Sequence, residues 1–335
     1  MKSALIVVVG PTASGKSALA LHLARALPVE IVSCDSLQIY RHLDIGTAKP
    51  TPEERGKVLH HMIDVREPDG LFTAGDYMAE GREVLDTIRR RSRVPIVVGG
   101  TGLYLRALLE GLFDGPKRSE SLRARLNGIA QSKGPSHLHH LLSRVDPPSA
   151  TRIAPNDKPK LIRALEVYFL TSRSISTHFS QGRSPLLGFA SLKIGLLPPR
   201  QLLYEQIDRR VDQMFESGLV DEVRSLLAKG YASHLKPFQS LGYSQVVQHL
   251  LEDLPLSEAK SLAKRDTRRY AKRQLTWFRK EKDVWWLPGF GFDPSIQKEV
   301  SEKVTRFVAE VEGRQAPASP DRSGSGDLSW DRIRE

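Results

Sequence analysis

The chain holds a single cysteine, Cys34. A lone thiol excludes an intramolecular disulfide and a structural zinc site built on several cysteines, and it fits a reducing cytoplasm. Apolar runs of the ~18–20 residues needed to span a bilayer are missing as well. The opening run, Ala4 to Val9, is short and leads into a glycine loop rather than the small-residue cleavage site of a secretory leader, so it reads as a buried strand. No membrane attachment is expected. Acidic residues are the scarcer charge: 39 Asp and Glu stand against 50 Lys and Arg, a net +11, and that excess points to a polyanionic partner. Apolar residues make up 40% of the 335, enough for a real core and too many for wholesale disorder. The length suits about two domains, or one with a large insertion.

The first hundred residues alternate β-branched runs with helical patterns. Leu5 to Val9, Ile31-Val32 and Ile96-Val97-Val98 are the runs, and Ser17–Leu27 and about Ala74–Arg91 carry helical spacing. Short runs with no polar face imply strands covered on both sides, hence an α/β fold with a parallel sheet core flanked by helices. From Phe113 to Ser184 strand signals vanish, and residues 113–189 read as a helical insertion domain. Residues 1–112 and 190–313 then form the core, with a further strand over Ala190–Leu197. One long amphipathic helix is expected from Leu203 through Leu227, stopped by Gly230. Residues 314–335, rich in Pro, Ser and Gly, read as a disordered tail.

Gly10-Pro11-Thr12-Ala13-Ser14-Gly15-Lys16-Ser17 matches G-x-x-x-x-G-K-[ST], set between a strand and a helix. The glycines let backbone N–H groups wrap phosphate oxygens, Lys16 adds a full charge, and the Ser17 hydroxyl can ligate Mg²⁺. NTPases usually pair this P-loop with an Asp closing another apolar strand. Here the Val94–Val98 run ends in Gly99-Gly100-Thr101-Gly102, with no carboxylate. That weakens a motor or switch ATPase and leaves room for an enzyme whose leaving group is diphosphate. Asp35 follows the second run, at the sheet edge where ligands bind in parallel sheets. Position alone leaves open whether it caps a turn or faces ligand. The Gly99–Gly102 loop likewise reads either as lying against ligand or as a tight turn.

Taken together, these blocks resemble the bacterial tRNA dimethylallyltransferases (tRNA isopentenyltransferases) over about residues 4–310. The resemblance rests on residues 10–17, Asp35-Ser36-Leu37-Gln38-Ile39-Tyr40, Asp44-Ile45-Gly46-Thr47-Ala48-Lys49-Pro50 and Val98 to Tyr104. It continues through Arg163-Ala164-Leu165-Glu166, Leu241-Gly242-Tyr243 and Arg268 to Arg279. It implies Mg²⁺-dependent transfer of a dimethylallyl group from dimethylallyl diphosphate to N6 of the adenosine just 3′ of the anticodon, by a monomer. It implies Asp35 as the catalytic base and Thr101 as a hydrogen-bond donor near the bridging oxygen. The P-loop then grips the prenyl diphosphate, with Arg210 as a second clamp or, alternatively, a solvated charge.

For the tRNA anticodon stem-loop, the resemblance implies contacts from Asp35-Ser36-Leu37-Gln38, Thr101, Arg123, Lys160 and Arg163. The family's usual Gln-Arg ahead of Arg163 is Pro159-Lys160 here, and Phe238-Gln239-Ser240 is only loosely similar. Lys264–Lys282 packs nine Lys or Arg against two acids. Lys264, Arg268 and Lys272 are spaced by four, as are Arg265, Arg269 and Arg273, rows suited to a phosphate backbone. Arg269, Lys272 and Arg273 are therefore candidate RNA contacts. A small-molecule kinase would share the P-loop but leave this basic helix unexplained.

Overall fold

In the computed structural model, residues 2–180 and 182–313 are described; the tail expected over 314–335 lies outside them. Six strands build one sheet among the described residues: β1 (Ser3–Val9), β2 (Val29–Cys34), β3 (His60–His61), β4 (Val94–Gly99), β5 (Phe189–Leu196) and β6 (Val284–Leu287). All neighbours run parallel, in the order β3-β2-β4-β1-β5-β6. Alternate residues of β1 serve two separate cores, as strand geometry demands. Leu5, Val7 and Val9 face one, and Ala4, Ile6 and Val8 the other. Register sets the ends of the strands level, with Val8 opposite Val98, Val9 opposite Gly195 and Cys34 opposite Gly99.

Among the helices, α1 (Lys16–Leu23), α2 (Pro52–Lys57), α3 (Ala74–Arg90) and α4 (Gly102–Glu110) follow the early strands. α3 begins at a capping box, in which the Thr73 hydroxyl accepts Asp76 N–H and the Asp76 carboxylate accepts Thr73 N–H. The helices α5 (Glu120–Lys133), α6 (Pro135–Val145), α7 (Pro147–Arg152), α8 (Lys158–Thr171) and α9 (Ile175–Ser180) close on a third core of their own, built on Leu126, Leu138, Leu142, Leu161 and Leu165.

After β5, two helices stand where the periodicity predicts one: α10 (Arg200–Glu216) and α11 (Leu219–Ala228). Gly218, in the left-handed region at φ 98°, breaks the run. The apolar spacing passes through the break because Phe215 and Leu219 remain four apart and both stay buried. α12 (Tyr243–Leu251) and α13 (Leu256–Phe278) pack back on this pair. α14 (Pro294–Glu312) covers the opposite face beside α1, through Ile296, Val300 and Val304.

Candidate active site

β1 carries the P-loop to the carboxyl edge of the sheet. The loop backbone enters left-handed space at Gly10 (φ 145°), Ala13 (φ 63°) and Gly15 (φ 86°). A Cβ on Gly15 would stand 2.7 Å from the Gly291 nitrogen, so the close approach of that segment also requires glycine. α1 starts at Lys16 with no side-chain cap and no acid in its first turn. Its leading N–H groups and positive end thus face the loop with no acid of the helix's own first turn to offset them. The Ser14 hydroxyl is buried without a partner on the inner side of the loop, close to Gly10. Lys16 Nζ donates to the Pro11 carbonyl at 2.7 Å. Burial first, and then the charge of Arg210, pull Lys16 down to about 7, with Asp35 opposing. Burial pushes Arg210 down as well. Two desolvated cations facing one carboxylate make a place short of negative charge, as a diphosphate seat should be.

Asp35 uses one oxygen as a cap: Oδ1 accepts Leu37 N–H at 2.8 Å and Gln38 N–H at 3.4 Å. Asp35 also lines two cavities, so a capping oxygen and an open face coexist at this residue. Thr101 N–H donates to the Cys34 carbonyl at 3.2 Å, and Thr101 Oγ1 accepts Ser36 N–H at 3.1 Å. Thr101 itself lines neither cavity; it stands one hydrogen bond behind the Asp35–Ser36 turn. The Gln38 amide is fully used, accepting from Ser33 Oγ at 2.8 Å and donating to the Thr47 and Ala48 carbonyls at 3.2 and 3.3 Å. The glycines around Thr101 answer to the protein's own packing. A Cβ would stand 2.0 Å from the Cys34 carbonyl oxygen at Gly99, 2.0 Å from Gln274 Nε2 at Gly100 and 2.1 Å from Trp277 Nε1 at Gly102.

The first cavity, about 370 Å³, is polar and takes in Lys16, Ser17, Gln38 and Lys49. The second, about 480 Å³, is walled by Ile207, Val211, Met214 and Phe215 of α10, with Leu219, Leu241 and Ala263. They share Thr12, Ala13, Asp35, Thr47, Arg210 and Tyr270. A phosphate chamber and an apolar chamber therefore meet at one carboxylate and one guanidinium. The site suits a ligand with a phosphate head and a hydrocarbon tail, with a base beside their junction.

Three residues that matter here have no site role assigned from the sequence, although Tyr270 and Gln274 lie in the Arg268–Arg279 block. Tyr270 stands at the junction of the chambers. Gln274 reaches from α13 to the P-loop. Glu222 of α11 accepts the N–H groups of Asp44 at 3.0 Å, Ile45 at 2.8 Å and Gly46 at 3.4 Å, and the Tyr243 hydroxyl at 2.6 Å. A Cβ at Gly46 would lie 2.4 Å from the Tyr243 ring. The blocks at 44–50 and 241–243 are thus one assembly, shaping the turn that brings Thr47 to both chambers. Only Gly46 and Gly242 signal it in sequence.

The basic rows of α13 do not act as units. Lys264 pairs with Asp212 at 2.7 Å and Arg268 with Asp208 at 2.7 Å, both on α10, so those two cations fasten the helix. Arg265 and Arg269 turn to Asp266. Arg269, Lys272 and Arg273 line a third cavity of about 490 Å³ together with Arg106, Thr276, Trp277 and Lys280. The Arg106 guanidinium lies 4.6 Å from the Trp277 ring centre and 2.5 Å from Glu281. Phe278 is core.

In the helical insertion, Arg123 and Arg163 converge on Glu166, which is fully buried. Arg123 donates twice at 2.8 Å, Arg163 once at 2.7 Å, and Ser119 N–H at 2.9 Å. Burial alone would raise the Glu166 carboxyl; those donors outweigh it and bring it down to about 2. Arg163 also donates to the Pro116 carbonyl at 3.0 Å. Neither arginine reaches the phosphate chamber, and each has a fold-internal partner that the RNA-contact expectation did not include. Lys160 is exposed and pairs with Asp157.

A family model described as IPP transferase matches residues 38–281. The chain is 51% identical over 306 residues to a tRNA dimethylallyltransferase of Solibacter usitatus, covering 91% of this chain and 99% of the relative. It is 52% identical over 298 residues to one of Koribacter versatilis, covering 89% and 97%. Among solved structures, the tRNA isopentenylpyrophosphate transferase of Bacillus halodurans superposes with TM-score 0.69 at 38% identity, covering 93% of this chain and 99% of that one. A eukaryotic dimethylallyltransferase acting on tRNA gives TM-score 0.77 at 26% identity, covering 94% and 81%.

Proposed function

The chain belongs to the IPP transferase family, and from that premise we infer that it transfers a dimethylallyl group from dimethylallyl diphosphate to N6 of the adenosine 3′ of the anticodon in tRNA. The observation that carries this reading is the meeting of the cationic and apolar chambers at Asp35. The diphosphate lies on the P-loop N–H groups, Lys16 and Arg210, and the dimethylallyl tail lies toward α10. The bond from the allylic carbon to oxygen breaks and its electron pair leaves with diphosphate. A bond from the same carbon to N6 forms, and the N6 proton passes to Asp35. The amine needs that base because its lone pair is delocalised into the ring. Lys16 and Arg210 meet the charge that grows on the departing oxygens. Thr101 steadies the Asp35–Ser36 turn, a positioning role in place of the donor to the bridging oxygen that the resemblance implies.

Mg²⁺ fits these residues. It is bound through few protein oxygens beside substrate phosphates and water, and the exposed Ser17 hydroxyl lines the phosphate chamber. When bound there, Mg²⁺ neutralises leaving-group charge.

The acceptor is the anticodon stem-loop. Its target adenosine must leave the base stack to present its amine, and the outward cations of α13 offer a path for its backbone. One chain lines both chambers, which supports a monomer as the working unit. Cys34 is buried and free, and no helix among the described residues is long and apolar enough to cross a membrane; a cytoplasmic setting accords with both. The test is incubation of the protein with labelled dimethylallyl diphosphate, Mg²⁺ and either unmodified tRNA or AMP. Label should enter tRNA at the adenosine 3′ of the anticodon, with one diphosphate released per transfer. Label entering AMP alone, or product formed only with stoichiometric ATP hydrolysis, overturns the reading.

A further inference from the structure

Gln274 lies on the inner face of α13, only 6% exposed, and bonds to two loops remote from it in sequence. Its Oε1 accepts Thr12 N–H of the P-loop at 2.8 Å, and its Nε2 donates to the Gly100 carbonyl at 3.0 Å. Gly100 has no room for a side chain because this amide occupies the space. The next residue, Thr101, holds the Asp35–Ser36 turn through its bonds to Cys34 and Ser36. A single side chain therefore ties together the loops that end β1 and β4 and, through Thr101, the loop that ends β2. Those three loops carry the diphosphate cradle, the turn before α4 and the base.

We propose that Gln274 is a positioning residue that fixes the distance between the diphosphate cradle and the Asp35–Thr101 pair. This rests on the transferase reading above. The primary amide is required because the position asks for an acceptor toward Thr12 and a donor toward Gly100 at once, and of the uncharged side chains of this length only glutamine supplies both. Without it the buried Gly100 carbonyl loses its partner, the half-buried Thr12 N–H is left to water in the chambers it lines, and nothing holds the two loops at a fixed separation. The reacting atoms then meet less often in line, a loss that falls on the chemical step.

Two substitutions test this. Gln274→Met keeps the length and removes both hydrogen bonds. At saturating tRNA it should lower kcat by about 10–100-fold, the range set by misplacement of about an ångström, while tRNA affinity stays within about twofold of wild type and melting remains cooperative. Gln274→Glu keeps the acceptor toward Thr12 but turns an oxygen toward the Gly100 carbonyl and adds negative charge beside the phosphate chamber. It should raise the KM for dimethylallyl diphosphate and the Kd for inorganic diphosphate with Mg²⁺, each by roughly tenfold, about 1.4 kcal/mol, again with tRNA affinity unchanged. Folded variants with wild-type kcat, KM and diphosphate affinity, altered only in melting temperature, would overturn the proposal. So would a loss confined to tRNA binding. Should the Met variant fail to fold, the Glu variant decides alone. Wild-type protein that transfers nothing to tRNA would instead sink the transferase reading, and the diphosphate-binding arm would still judge the clasp.

Discussion

Asp35 spends one carboxylate oxygen on structure, and its proposed role as the base can be separated from that by substitution. Asn retains the oxygen that accepts Leu37 and Gln38 N–H and lacks a basic oxygen. Asp35→Asn should therefore keep the fold and tRNA affinity while single-turnover transfer falls about 10²–10⁴-fold, the usual worth of a general base. Transfer at the wild-type rate would leave Asp35 as a cap alone. Lys16 offers a second measurement. Its pKa in the free protein is lowered to about 7, so near pH 8 much of it is neutral, and a bound diphosphate draws it back to the charged form. Diphosphate binding at pH 8 should thus take up close to one more proton in wild type than in Lys16→Met, shown by calorimetry in buffers of different ionisation enthalpy. Near pH 5 the difference should vanish because Lys16 is already charged. The same shift bears on the free protein's stability. Between pH ~7 and the ordinary lysine value the unfolded chain binds more protons than the folded one, so Lys16 contributes a stability that rises with pH across that window. Lys16→Met should flatten the rise.

At the scale of the element, the sequence showed what depends on contiguous pattern and hid what depends on long reach. The P-loop was legible because a strand, eight residues and a helix follow one another. β1 and β4 were legible because burial on both faces leaves apolar runs, and β2 through the shorter Ile31-Val32 pair, since its Glu30 and Ser33 are buried polar residues. β6 was not: Val-Trp-Trp-Leu is four residues long and follows charged Lys282-Asp283. The break between α10 and α11 was masked because the apolar spacing crosses Gly218 unchanged. Gln274 holds loops 262 and 174 residues away and Glu222 one 176 to 178 residues away in chain order, a relation that no local pattern records. The pairing at Glu166 belongs to this group in part, since Arg163 is three residues away but Arg123 comes from another helix. It also sets a prediction. Glu166 sits near 2 in the folded protein, below its ordinary value, so it contributes stability above pH ~4.5 that is lost as pH falls toward 2. Glu166→Gln should melt lower than wild type at pH 7, and the gap should close in acid. An unchanged gap from pH 7 to 3 would mean that the arginine contacts do not hold the carboxylate in solution.

Across the whole molecule, the net charge of +11 is not spread as a uniform coat. Part of it is internal: Lys16 and Arg210 line the P-loop cavity, Lys264 and Arg268 clamp α13 to α10, and Arg123 and Arg163 surround Glu166. On α13, Arg269, Lys272 and Arg273 line the third cavity with Lys280, just past the helix end, and Arg106 of α4, and Arg273 reaches the second chamber as well. The helix that holds the P-loop through Gln274 on its inner side thus presents cations on its outer side, and these should govern how salt weakens tRNA binding. Each phosphate neutralised releases condensed counterions, so replacing a contacting cation should reduce the slope of log K against log salt by about one unit or less. Arg269→Ala and Arg273→Ala should each do this and weaken all substrate tRNAs alike; turnover at saturating tRNA should stay near wild type for Arg269→Ala, whereas Arg273 also lines the second chamber with Asp35 and Arg210, so its loss should lower turnover as well. Lys264→Ala is the internal control: its cation is spent on Asp212, so the melting temperature should fall while the salt slope holds. If instead Lys264→Ala shifts the slope as much as Arg269→Ala does, the division of α13 into a fastening side and an RNA side is wrong. A slope unchanged in both arginine variants would remove this helix from the RNA interface.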